Sequence, residues 1–397
     1  MNRIAIVVHR YGPQITGGAE MHARLVALHL ADRGHDVTVL TTCADDYVTW
    51  ANVQPPGEHH DGPVRVLRFP VRAERDLNAW GAAMQPILSG AWTDDDEQTL
   101  LREQGPDSPA LLDHLRDHGD SYDAVMFYTL LYLPTVAGIP LVWDRSILVP
   151  TLHDEVAVRL NAHSRAIRQA RRIMWLTPEE RDLAARLYEV SDLGGSVASI
   201  GIEPPAELHV EPTRARFGLD RPYLFYAGRV DTEKGCGELM DFFAQWAQTD
   251  DRADLVLAGR AWMEIPEHPR IRHVGFVDTA DLWDLMAGAG ATVIPSRYES
   301  LSMVALESLA CGVPILVTAA SPVLQGHARR SAAGLVYSDA AEFAAAAQLL
   351  LDRPAEGDAL GRNGRRYIAA NFTWEHATAL YEDAIVAVSR STIPALT

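Results

Sequence analysis

Short apolar runs with little alternation recur along the chain, separated by longer stretches whose apolar positions fall three and four residues apart. Runs at 4–8, 37–42, 64–69, 124–128 and 173–176 read as strands of the first half, and runs at 223–227, 255–258, 273–274, 291–294 and 315–318 as strands of the second. Strands covered by helices on both faces lose the polar alternation of half-exposed ones, so this pattern predicts parallel sheets in an α/β fold. Residues 21–32 carry helical periodicity between two such runs and complete a βαβ unit. Pro204, Pro205 and Pro212 then break the rhythm and mark a linker. A chain of 397 residues is long for one core, and its 48% apolar content can fill two.

The most informative chemistry follows the run at 291–294. Glu299 and Glu307 stand eight residues apart across the start of an apolar, helix-like stretch. A helical rise over that spacing separates the carboxylates by roughly 12 Å, about the distance from the sugar to the ribose of an extended nucleotide-sugar. The N–H groups of Ser300, Leu301 and Ser302 then open the helix between them, where the positive dipole end suits a diphosphate. The competing reading makes both glutamates ordinary helix residues. Their place after a strand favours a site, because open α/β sheets bind ligands at the carboxyl ends of their strands.

This segment, with its E-x7-E spacing, resembles the retaining, nucleotide-sugar-dependent glycosyltransferases of family 4, which have the two-domain GT-B fold. Three further segments extend the resemblance. The run at 223–227 leads into Gly228 and Arg229, then Glu233, Lys234 and Gly235. The resemblance implies that Arg229 and Lys234 hold the donor diphosphate, and fixed cations suit the charge that develops on such a leaving group. Gly17 and Gly18 at the turn of the first βαβ unit match a glycine pair that faces the donor phosphates and the reacting sugar. A tight turn needing positive φ is the competing reading there. A short run from Leu148 ends in His153 and Asp154, and the family's interdomain histidine matches His153, which is expected to touch the donor sugar or the acceptor. Asp154 would orient its imidazole or begin the next helix.

The resemblance implies a GT-B architecture of two Rossmann-like, doubly wound domains facing a central cleft. The first would cover 1–205 and bind the acceptor, joined by a returning C-terminal helix at 375–397; the second would cover 206–374 and bind the donor. His153, Glu299, Arg229 and Lys234 would act at the reacting centre. Gly17, Gly18, Gly228, Phe276, Val277, Ser300, Leu301, Ser302 and Glu307 would complete the donor site, with backbone near Phe276 and Val277 reading the base. No metal and no cofactor beyond a UDP- or GDP-linked sugar is expected, and no G-x-G-x-x-G follows the first strand. The family implication is same-face attack, with a donor phosphate oxygen accepting the acceptor's proton. A nucleotide-sugar epimerase or a non-catalytic nucleotide-sugar sensor would carry many of the same groups.

Charge and cysteine content narrow the setting. A formal charge of −18 argues against nucleic-acid binding and against broad contact with anionic lipid. Arg159, Arg165, Arg168, Arg171 and Arg172 form a local exception, with Arg165, Arg168 and Arg172 spaced for one helical face. That face is either solvated or a weak peripheral contact with phosphate on an acceptor or membrane. Three distant cysteines, Cys43, Cys236 and Cys311, read as reduced thiols of a cytoplasmic protein. Residues 72–120 look least like the family and are assigned to the acceptor site or a lid. Asp94 and Asp96 within them have metal-binding D-x-D spacing, but Thr93 before them reads as a helix cap.

Overall fold

The computed structural model describes residues 1–189, 195–198 and 200–389. The chain forms two units, one from Met1 to Ile200 with the helix Trp374–Ser389, the other from Gly201 to Thr373.

The first unit is built on eight strands: β1 (Arg3–Val7), β2 (Asp36–Thr42), β3 (Gly57–Asp61), β4 (Val64–Phe69), β5 (Ala124–Tyr128), β6 (Ser146–Val149), β7 (Arg172–Trp175) and β8 (Ser196–Val197). Their order is β3-β4-β2-β1-β5-β6-β7-β8, parallel throughout except for the antiparallel pair β3–β4. β5 is buried at every position and β1 at all but its first, as expected of strands covered on both faces. The order reverses between β1 and β5, so loops after these two strands part and leave a crevice at the carboxyl edge.

The helix Trp374–Ser389 packs on this unit. Tyr381 is fully buried in it and donates to the Ala198 carbonyl, Trp374 stacks on His29 at 3.6 Å, and Arg33 makes a bidentate pair with Glu382.

The second unit holds β9 (Tyr223–Ala227), β10 (Asp254–Ala258), β11 (Ile271–Gly275), β12 (Ala291–Ile294), β13 (Ile315–Thr318) and β14 (Gly334–Tyr337), all parallel, in the order β11-β10-β9-β12-β13-β14. Its reversal lies between β9 and β12. The two segments richest in candidate chemistry leave these two strands.

Three strands escape the apolar pattern: β3, β8 and β14. All lie at sheet edges, and β3, with the sequence G-E-H-H-D, buries too little to carry an apolar signature.

Residues 72–120 form three helices, Leu77–Ser89, Asp94–Gln104 and Pro109–His118. Asp96 is taken up by a capping box with Thr93. Glu97, buried, accepts from the N–H groups of Asn161 and Ala162 and so caps a different helix, Asn161–Gln169. The proposed arginine face breaks up here. The helix ends at Gln169 and Arg172 opens β7, while Arg159 pairs with Asp154, Arg165 with Glu97, and Arg168 donates to the Tyr188 carbonyl. Chain direction changes at Ala170, which removes Arg172 from any shared helical face.

Tyr381→Ala should lower the stability of the first unit by about 3–5 kcal/mol, since it opens a large cavity under the returning helix. Urea denaturation followed by tryptophan fluorescence measures this, and an unchanged midpoint would remove that helix from the core.

Candidate active site

β9 ends at Ala227, and the chain then turns through Gly228 with φ of 143°, a conformation side chains resist. Its N–H donates to the Ala258 carbonyl at the end of β10. Gly259 follows β10 with φ of 139°, and a Cβ there would stand 1.8 Å from the Gly228 carbonyl oxygen. Backbone therefore packs on backbone, and only glycine fits.

Beyond Gly228 the loop closes on itself. The Asp231 carboxylate accepts from the Lys234 N–H at 2.7 Å and lies 3.3 Å from the Arg229 guanidinium, while the Tyr226 hydroxyl donates to the Arg229 carbonyl. Asp231 is buried and was not singled out from sequence, though an Asp accepting from the N–H three residues on is a local contact of the kind that caps helices and turns. Gly235, left-handed at φ 76°, begins the helix Cys236–Trp246; a Cβ on it would meet the Pro295 carbonyl of the loop after β12 at 2.6 Å. The two loops at the reversal are thus in contact.

Across that contact the Lys234 ammonium donates to Glu299 at 2.9 Å and reaches the Ser296 hydroxyl at 3.5 Å. Arg229 keeps a third of its side chain exposed, with Glu233 3.9 Å away on its other flank.

The segment between the two glutamates is not helical throughout. The helix spans Met303–Cys311, and Ser302 before it is left-handed at φ 65° and ψ 80°. Ser300, Leu301 and Ser302 therefore lie in the approach to the helix, and the groups its end directs outward are the N–H groups of Met303 and Val304. The helical rise behind the estimate of roughly 12 Å therefore does not run the whole interval, because Glu299 sits in the loop and only Glu307 in the helix. Leu301 is fixed by His327, whose Nε2–H donates to its carbonyl at 2.9 Å. Burial lowers the His327 pKa to about 4, so the imidazole acts as a neutral donor.

Glu307 is half-buried, and burial pushes its pKa up to about 7. No cation pairs with it among the described residues. Phe276, 59% exposed, follows β11 with the Arg260 guanidinium 5.5 Å over its ring; Val277 beside it is half-buried.

In the first unit, Gly17 caps the helix Gly18–Asp32 in an extended conformation, φ −73°, so positive φ is not the reason for glycine. Space is. A Cβ on Gly17 would lie 2.1 Å from the Glu20 carboxylate, whereas one on Gly18 would meet nothing. Glu20 is buried against His9, at 2.8 Å, and Arg10. Burial opposes its charge, but these two partners outweigh it and hold the carboxyl at a pKa of about 2. This cluster beneath the glycine pair was not anticipated.

His153 follows β6 and is about one-third exposed. Its Nδ1 lies 3.5 Å from Glu155, while Asp154 turns away to Arg159, so Glu155 and not Asp154 is the acid beside the imidazole. Thr151 before it is left-handed at φ 49°, as is Thr129 after β5 at φ 69°, and their hydroxyls are 3.1 Å apart. Two β-branched residues in this region signal a loop held against its preference.

No group of three or more histidine, cysteine or acidic side chains placed to hold a metal occurs among the described residues. Cys43, Cys236 and Cys311 are buried and free, and no described helix is long and apolar enough to cross a membrane.

Residues 211–367 match the family described as glycosyl transferases group 1. The matched span lies within the second unit. The chain is 27% identical over 406 residues to a glycogen synthase of Mycobacterium tuberculosis, an alignment covering 94% of this chain and 92% of the relative. Among solved structures, a sucrose-phosphate synthase from Thermosynechococcus elongatus superposes with a TM-score of 0.71 at 21% identity, over 98% of this chain and 100% of that one. An E. coli trehalose-6-phosphate structure bound with UDP-2-fluoro glucose gives 0.70 at 15% identity, over 96% and 99%. The fold of this glycosyltransferase is GT-B, with two parallel-sheet α/β domains.

The glycines of the site separate by physical role. Gly259→Ala should cost about 2 kcal/mol or more through strain and overlap with Gly228, while Gly18→Ala, with open space around it, should change stability by less than about 0.5 kcal/mol. Urea midpoints of the two variants check this; equal midpoints would contradict the backbone contact.

Proposed function

We propose that this glycosyltransferase is a family 4 enzyme that moves a sugar, with retention, from a nucleotide-diphosphate donor to an acceptor hydroxyl without a metal. The observation that carries the reading is the junction of the two loops at the β9/β12 reversal, where Lys234 meets Glu299 at 2.9 Å beside Arg229 and the N-terminus of the helix Met303–Cys311.

Each part has a role in that chemistry. Arg229, Lys234 and the helix N-terminus take the negative charge that develops on the departing diphosphate. Glu299, oriented by Lys234, accepts from sugar hydroxyls, and Glu307 accepts from the ribose hydroxyls. Gly228 lets the backbone approach the phosphates, and the segment Phe276–Val277 reads the base. His153 and the Gly17–Gly18 loop serve the reacting sugar and the acceptor. The acceptor's proton passes to a donor phosphate oxygen on the face the diphosphate leaves. A UDP-linked hexose is the first donor to test, since one GT-B neighbour is bound with UDP-2-fluoro glucose; GDP-linked sugars come next.

Calorimetry with UDP- and GDP-sugars, without metal and then with Mg²⁺, tests the donor site. Arg229→Ala should weaken the bound nucleotide-sugar by roughly 10- to 100-fold, the worth of a charged hydrogen bond. Glu299→Ala should lower turnover more than affinity. Wild-type binding in Arg229→Ala together with wild-type turnover in Glu299→Ala would overturn the assignment.

The pH dependence has a defined sign. Only the carboxylate of Glu307 can accept from both ribose hydroxyls, and its pKa in the free protein is raised to about 7. Affinity for a nucleotide-sugar should therefore be flat above that value and fall roughly tenfold per pH unit below it, while Glu307→Gln binds weakly with no such slope. The sugar diphosphate does not itself titrate in this range. A slope shared by wild type and variant would place its origin elsewhere.

A further inference from the structure

We infer that Glu180 is the positioning residue for His153: one buried carboxyl fastens the loop that carries the histidine to the loop after the neighbouring strand. This rests on the reading of His153 as a group at the reacting centre.

The sequence gives Glu180 an ordinary task. In T-P-E-E it stands three residues after the cap Thr177, at the start of the helix Pro178–Tyr188. Thr177 fulfils the capping role by accepting from the Glu180 N–H at 3.1 Å. The Glu180 side chain reaches much further. One oxygen accepts from the Leu152 N–H at 2.7 Å, the other from the Leu176 N–H at 2.6 Å. Leu152 follows β6 and precedes His153; Leu176 follows β7. A single carboxyl therefore joins the carboxyl ends of two adjacent strands.

Its surroundings make this an unusual place for an acid. Glu180 is 1% exposed, with Leu152 and Leu176 buried around it, and burial raises its pKa to about 8. A cap that only closes a helix end can remain in solvent, so burial needs another reason.

The reason lies one residue upstream of Leu152. Thr151 is held left-handed at φ 49°, a conformation that costs a β-branched residue of order 1–3 kcal/mol and persists only where neighbours impose it. The Thr129 hydroxyl holds one side of it and Glu180 holds the next peptide. With both in place, the chain leaves the buried strand end and presents His153 one-third exposed. Without the Glu180 anchor, Thr151 is free to relax toward the β region and His153 moves with it.

Glu180→Gln keeps the size of the side chain but sets an amide N–H against one of the two backbone donors. Turnover of the donor is read as nucleoside diphosphate release, alongside nucleotide-sugar affinity by calorimetry. The expected result is a fall in kcat of about tenfold or more with affinity within about twofold, and no further fall when Glu180→Gln is added to His153→Ala. Losses that multiply in the double variant, or an unchanged kcat in Glu180→Gln, would overturn the inference. A second readout needs no substrate: histidine-labelled protein gives His153 ring signals assigned by their absence in His153→Ala. Glu180→Gln should shift or broaden those signals and leave the other histidines in place; unmoved His153 signals overturn the inference. If His153→Ala itself retains full turnover, the reading of His153 fails, and the ring signals alone decide whether Glu180 positions it. Should Glu180→Gln fold poorly, Glu180→Asp, which reaches only one of the two N–H groups, carries the same measurements.

Discussion

The second unit depends on a close approach of main chain to main chain. Parallel strands end side by side, and the loops leaving them separate unless something brings them back. On both sides of β9 they are brought back by glycine: Gly228 lies against Gly259 of the loop after β10, and Gly235 against the Pro295 carbonyl after β12, with no room for a Cβ on Gly259 or Gly235. Because these backbones touch, side chains from different loops can meet, and Lys234 reaches Glu299. The ion pair is a consequence of the packing, and half-exposed pairs of this kind contribute little to stability on their own. Its value is geometric, since it sets a cation and an acceptor at fixed separation beside a helix N-terminus.

The same economy of means recurs in the first unit with acids in place of glycines. Glu20 lies under the Gly17–Gly18 turn, held ionised by His9 and Arg10; Glu97 closes the end of a helix distant in sequence; Glu180 ties two strand ends together. Each is at most about 5% exposed and each accepts from at least two donors. A buried carboxylate without such donors would cost several kcal/mol, so these acids act as rigid fixtures for loops rather than as surface charge. Glu307 differs: neither a cation nor a side-chain hydrogen-bond donor meets it among the described residues, and burial raises its pKa to about 7.

What the sequence made legible follows from the range of the interactions involved. Central strands such as β5 and β9 announce themselves because both faces are buried and every position is apolar. The edge strands β3 and β14 bury too little to do so. The GT-B fold and the resemblance to group 1 glycosyl transferases were accessible because Gly228, Arg229, Lys234, Glu299 and Glu307 lie in two short, ordered segments. The helix between the glutamates was misjudged because nothing in E-S-L-S-M-V forecasts a left-handed Ser302; that turn is fixed by His327 bonding to Leu301 from 26 residues away. Glu180 was invisible for a related reason, since its local pattern is a helix cap while its second partner, Leu152, lies 28 residues earlier.

This division between local and distant determinants bears on where specificity resides. The charged groups that would grip a diphosphate are written in contiguous motifs, and their chemistry is shared by any nucleotide-sugar. The strained Thr129–Thr151 pair, the Glu180 tether and the three helices of residues 72–120 are built from contacts between distant segments, all in the first unit. Strain at Thr151 is sustained by side chains outside its own loop, so the presentation of His153 depends on helices and strand ends some distance along the chain. A substitution in those supports can therefore move His153 without touching it. The loops around β9 have no such freedom, since their glycine contacts admit no side chain.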